Sequence, residues 1–112
     1  MISTHVLDTS RGRPAAGVQV LLESIDPSGS RREVTRAVTD ADGRVRELMP
    51  VAAESRTGSY RLTFETGAYF ATLGVETFYP RVTVEFAVPD TTQHYHVPLL
   101  LSPYGYSTYR GS

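Results

Sequence analysis

Apolar and polar residues alternate along most of this chain with a period of two, the signature of half-buried strands. Ile2, Thr4 and Val6 fall on one side of the first segment, and Ser3, His5 and Leu7 on the other. Val18 to Ile25 is a β-prone run whose core face is Val18, Val20 and Leu22. Arg32 to Thr39 is more polar and suits a sheet edge or a strand with one wet face. Tyr60, Leu62 and Phe64 alternate with Arg61, Thr63 and Glu65. After Pro80, Val82, Val84, Phe86 and Val88 alternate with Thr83 and Glu85. Thr66 to Thr77 is the one segment that tolerates a helix, and Gly67 and Gly74 bracket it to about two turns.

Between these segments lie breakers. Asp8 to Gly17 reads as a loop, with Gly12, Pro14 and Gly17 as its punctuation. Asp26-Pro27-Ser28-Gly29, Asp40-Ala41-Asp42-Gly43 and Pro89-Asp90 are turns, and Met49 to Gly58 is an irregular connector. About seven short strands with a turn signal every ten residues or so predict an all-β protein, a β-sandwich with one short helix. There is no internal repeat or linker, so residues 1–112 are expected to form one domain.

The last nineteen residues, HYHVPLLLSPYGYSTYRGS, concentrate the chemistry of the chain: His94, His96, Tyr104, Tyr106, Tyr109 and Arg110. Tyr95, Val97, Leu99 and Leu101 share one face of an extended segment; His94, His96, Pro98 and Leu100 share the other. Ser102-Pro103-Tyr104-Gly105 has the proline and glycine of a type I turn, and Tyr106 to Tyr109 is a return strand. Leucine on both faces at 99–101 is unusual for a sheet with one solvated side. The outward Leu100, beside outward Pro98 and His96, therefore predicts a subunit interface.

Composition mainly excludes. The formal charge is −1 with no basic block, which argues against nucleic acid or an anionic membrane as partner. No cysteine means no disulfide, thiolate nucleophile or thiolate metal site. Every cation is arginine, so lysine chemistry is excluded too. The first residues lack the basic and apolar regions of a secretory signal, no apolar run is long enough to span a bilayer, and YRGS is not a peroxisomal address. A cytoplasmic location is the expectation.

The histidines are His5, His94 and His96. His94 and His96 share a strand face, roughly 7 Å apart. Two uses of such a set compete: a three-nitrogen zinc site completed by His5, or metal-free acid–base work by an imidazole whose ordinary pKa lies near 6.5. Neither segment carries an adjoining carboxylate to orient a metal-bound imidazole. No Gly-x-Ser-x-Gly elbow or phosphate loop is present, so covalent catalysis has no support.

These residues resemble a known family. STHVLD at residues 3–8, TDADGR at 39–44 and the HYHVPLLLSPYGYSTYRGS end, together with TGSYRLTFETGAYF and FYPRVTVEF, are similar to the 5-hydroxyisourate hydrolases, transthyretin-related enzymes of urate breakdown. The resemblance implies two four-stranded sheets with a short helix between the fifth and sixth strands. It implies a homotetramer in which two dimers face each other across a channel. It implies hydrolysis of 5-hydroxyisourate to 2-oxo-4-hydroxy-4-carboxy-5-ureidoimidazoline, a step of purine catabolism, without a cofactor or metal. Matched position by position, His5, Arg44, His96 and Ser112 are catalytic, with either His5 or His96 as the base. Arg44, Tyr109, Arg110 and Gly111 bind substrate. A transthyretin-like carrier of a small aromatic ligand is the rival reading.

Overall fold

Each alternating segment becomes a strand because its apolar face has another sheet to bury against. The computed structural model describes residues 1–49 and 56–112. In chain order the elements are β1 (Ile2–Asp8), β2 (Arg13–Pro14), β3 (Gln19–Ile25), β4 (Arg31–Val38), β5 (Arg44–Met49), β6 (Gly58–Phe64), α1 (Thr66–Thr72), β7 (Val82–Val88), β8 (Tyr95–Ser102) and β9 (Gly105–Thr108). One sheet runs β4-β3-β6-β7, all antiparallel. The other runs from β1 through β8 to β9, with β5 and β2 pairing successive stretches of β1. It holds five strands where four are implied, because the two-residue β2 adds a short rung beside β5. Without β2, α1 lies between the fifth and sixth strands, as the resemblance implies.

The core lies between the sheets. Ile2, Val6, Tyr95, Val97, Leu99 and Leu101 from one sheet meet Val20, Leu22, Tyr60, Leu62, Phe64 and Val82 from the other, all buried. Val84 and Phe86 are only half-buried, because β7 is an edge. β4 is the opposite edge, as its polar sequence predicts.

β1 and β8 pair in parallel over their whole length, Ile2 with Tyr95 through Asp8 with Leu101. These strands are far apart in sequence, and their pairing brings the two ends of the chain together. β5 carries no clean alternation, and the sequence does not announce it. It lies on the side of β1 away from β8, with a register shift between Ile2 and Thr4. The helix stops at Thr72, short of the expected Thr77. Gly74 takes a φ of 67°, and the N–H groups of Gly74 and Val75 donate to the carbonyls of Ala71 and Phe70. That pattern closes a helix on a left-handed glycine. Most of the connector expected at 49–58 lies outside the described residues.

Candidate active site

Because side chains on paired strands share a face at each rung, register decides what meets on the outside of the β1–β8 sheet. Ser3 pairs with His96, and His5 pairs with Pro98 on one side and with Arg44 on the other. With Ile2, Thr4, Val6 and Asp8 buried inward, Ser3, His5, His96 and Arg44 all face out. The turn before β5 fixes Arg44. Asp40 accepts from the N–H groups of Asp42 and Arg44 through Oδ1, and this polarised cage holds its carboxyl below the usual carboxylate range. Gly43 closes the turn at φ 75°, and its carbonyl accepts from the Val6 N–H at 2.7 Å.

A hollow of about 280 Å³ opens on this face, lined by Ser3, Arg44, Arg46, His94, His96 and Ser112. His5 stands beside it. Its Nε2 bonds the Asp42 carbonyl at 2.9 Å. A carbonyl only accepts, so Nε2 carries the proton and a neutral His5 presents Nδ1 as its lone-pair nitrogen. His96 is half-buried, with Nδ1 2.7 Å from Ser3 Oγ. Burial pushes the His96 imidazole below its ordinary pKa, and Arg44, His5 and His94 push the same way. The ring is thus held neutral at neutral pH, with a lone pair able to accept a proton.

The tail is tied to this face. Gly111 donates its N–H to the His96 carbonyl at 2.8 Å and forms a bridge with that residue. A Cβ on Gly111 would stand 2.5 Å from His96 Cδ2 and 3.3 Å from Pro98 Cγ. Glycine is what lets the tail lie flat against the ring. The same packing covers the outward face of Pro98, which is buried within the chain. Leu100 remains half-buried.

The sequence-predicted set divides. His5, Arg44, His96, Gly111 and Ser112 come together. Within one chain Tyr109 and Arg110 line an adjoining cleft beside β7 and β8, which shares His96 with the hollow. There the Arg110 guanidinium lies 4.6 Å from the Tyr95 ring centre, and its Nη2 donates to Gln93 Oε1 at 2.9 Å. Sequence reading gave no role to Ser3 or Arg46. Arg46 is two residues from Arg44 on β5, a spacing that could have flagged it. Ser3 needs the β1–β8 pairing to be seen. Among the described residues, no three histidine, cysteine, aspartate or glutamate side chains form a group that could hold a metal ion.

An outward sheet face with three imidazoles, two guanidiniums and a pinned tail, on a two-sheet sandwich with one short helix, defines a transthyretin-like protein whose surface hollow gathers groups able to do acid–base chemistry. The chain belongs to the HIUase/Transthyretin family, whose model matches residues 2–111. A 5-hydroxyisourate hydrolase of Mesorhizobium japonicum is 44% identical over 114 residues, covering 99% of this chain and 91% of that protein. Among solved structures, a Klebsiella pneumoniae 5-hydroxyisourate hydrolase superposes with a TM-score of 0.87 at 41% identity, covering 99% of this chain and 97% of that one. Sea bream transthyretin in complex with thyroxine superposes at 0.91 with 31% identity, covering 98% and 93%.

Proposed function

We propose that this chain hydrolyses 5-hydroxyisourate, opening the six-membered ring to give 2-oxo-4-hydroxy-4-carboxy-5-ureidoimidazoline. The observation that carries the reading is the convergence of His5, Arg44 and His96 on one outward face, with Gly111 and Ser112 held against it. Full-length similarity to named hydrolases supports it. Similarity to a transthyretin shows that the fold alone does not separate enzyme from carrier. The outward imidazoles and arginine favour the enzyme.

Hydrolysis of a cyclic amide needs an activated water, a counter-charge for the oxyanion and a proton for the departing nitrogen. His96, neutral at physiological pH, takes a proton from water through Nε2. The hydroxide adds to the ring carbonyl. Arg44 offers parallel N–H donors to the oxygen that becomes negative. Collapse breaks the C–N bond and opens the ring, the nitrogen takes a proton from an imidazolium, and the carbonyl carbon ends as a carboxylic acid that loses its proton to solvent to give the carboxylate. His5 flanks this set from the neighbouring rung as the second imidazole. Ser112 orients water at the rim.

We also infer that the working form is a homotetramer, with two such faces opposed across a channel. Support comes from Leu100, only half-buried on the outward face of a single chain. The channel would enclose a hollow that is open in one subunit.

The test is spectrophotometric. Freshly generated 5-hydroxyisourate is followed with and without the protein. Decay accelerated in proportion to protein concentration supports the hydrolase; unchanged decay with tight retention of an aromatic ligand would establish the carrier.

A further inference from the structure

Ser3 Oγ lies 2.8 Å from His94 Nε2 and 2.7 Å from His96 Nδ1. The residue is buried, at 6% exposure. A hydroxyl has one proton to give and lone pairs that accept. Both contacts are at hydrogen-bond length, so serine donates in at most one of them, and in the other an imidazole N–H donates to serine. The tautomers of the two rings are therefore tied together.

Two arrangements satisfy the buried hydroxyl. If Ser3 donates to His96 Nδ1, the neutral His96 ring carries its proton on Nε2 and has no lone pair left for a water. If Ser3 donates to His94 Nε2, His96 carries its proton on Nδ1 and Nε2 is free to accept. Only the second arrangement suits a general base. Protonating both rings at the shared oxygen would leave the Ser3 proton without an acceptor, a costly state for a buried hydroxyl. The pair holds one extra proton comfortably, not two.

Resting on the hydrolase reading, the geometry points to Ser3 and His94 as a positioning pair that holds His96 in the Nδ1–H tautomer and gives its proton a path to solvent. When His96 Nε2 takes a proton from water, its Nδ1 proton passes to Ser3 Oγ as the Ser3 proton passes to His94 Nε2. His96 is left neutral with the new proton on Nε2, and the positive charge sits on His94. His94 is exposed and exchanges with bulk water. Handing the Nε2 proton to the departing ring nitrogen draws a proton back along the same path, so the count balances over the cycle. The groups facing His96 are Arg44, His5 and His94, with Arg46 and Ser112 on the same hollow. Arg44 and the burial of His96 both resist a lasting charge on its ring, which favours moving that charge to the exposed His94.

The experiment combines ¹⁵N-histidine NMR of the ligand-free protein with steady-state kinetics on Ser3→Ala, Ser3→Thr and His94→Ala. In the wild type the neutral His96 ring is expected to show a protonated Nδ1 and a free Nε2. Ser3→Ala is expected to move it toward the Nε2–H tautomer and to lower kcat by about ten- to a hundredfold, the scale of a misassigned acid–base group, with KM little changed. Ser3→Thr keeps the hydroxyl and is expected to restore both the tautomer and most of the turnover. His94→Ala removes the acceptor for the Ser3 proton at an exposed position and is expected to shift the His96 tautomer in the same direction, which covers the case in which Ser3→Ala fails to fold. An unchanged His96 tautomer in Ser3→Ala and His94→Ala, or a threonine variant no better than alanine, would overturn the proposal. The NMR arm needs no substrate, so it decides the coupling even if the wild type leaves 5-hydroxyisourate intact, an outcome that would instead remove the hydrolase reading.

Discussion

At Gly111 one methyl group decides the outcome. Its absence lets the tail donate to the His96 carbonyl while the His96 ring and Pro98 pack beneath it. Gly111→Ala must displace either the ring or the tail. Misplacing a catalytic group by an ångström costs on the order of a hundredfold, so kcat/KM should fall by roughly that factor while far-UV circular dichroism stays native. Wild-type kinetics in that variant would mean that the position of the ring against the tail is irrelevant. His96 carries a second consequence at this scale. Its pKa lies below the ordinary 6.5, and only the neutral ring can accept a proton from water. The pH profile of kcat/KM should therefore stay flat through neutrality and fall only below about pH 6.5. An acid limb centred above pH 7 would contradict the assignment.

Elements bring these residues to one place, and one buried carboxylate helps hold two of the elements together. Asp8, fully buried at the end of β1, accepts from the Tyr69 hydroxyl of α1 at 2.8 Å, and from the Ser10 N–H and hydroxyl. Burial and this carboxylate push the Tyr69 phenol above its ordinary pKa, so it stays a donor. Tyr69→Phe leaves a buried charge short of one partner and should cost about 1.5–3 kcal/mol in urea unfolding. A loss below about 0.5 kcal/mol would show that the contact is incidental. Most elements were legible because their alternation is local: Val18 to Ile25, Tyr60 to Phe64 and Val82 to Val88 each name their own core face. β5 was not, because Arg44 to Met49 has no period of two and pairs only as an irregular edge of β1. The site was half legible. Spacing could place His94 and His96 on one face, and the family resemblance supplied His5 and Arg44. Ser3 required the parallel β1–β8 register, a contact across more than ninety positions that no local pattern encodes. Arg110 lies over the Tyr95 ring, a contact that the spacing of the tail alone does not announce.

For the whole molecule, the same half-buried imidazole links stability to acidity. The unfolded His96 ring binds a proton as pH falls through about 6.5, whereas the folded ring does so only at lower pH. The unfolded state therefore binds more protons in that window, and stability should decline as pH drops below about 6.5. His96→Gln should flatten that part of the curve in pH-dependent thermal unfolding; parallel wild-type and variant curves would contradict the shift. The fold places the two chain ends, one turn and one edge strand at a single outward face, and hydrolysis follows from that convergence. Its most direct test is the decay of 5-hydroxyisourate at neutral pH with wild type, His96→Gln and Arg44→Gln at equal, folded concentrations. The wild type should accelerate decay, and each variant should lose about a hundredfold or more of that acceleration. Variants as fast as the wild type would contradict the account.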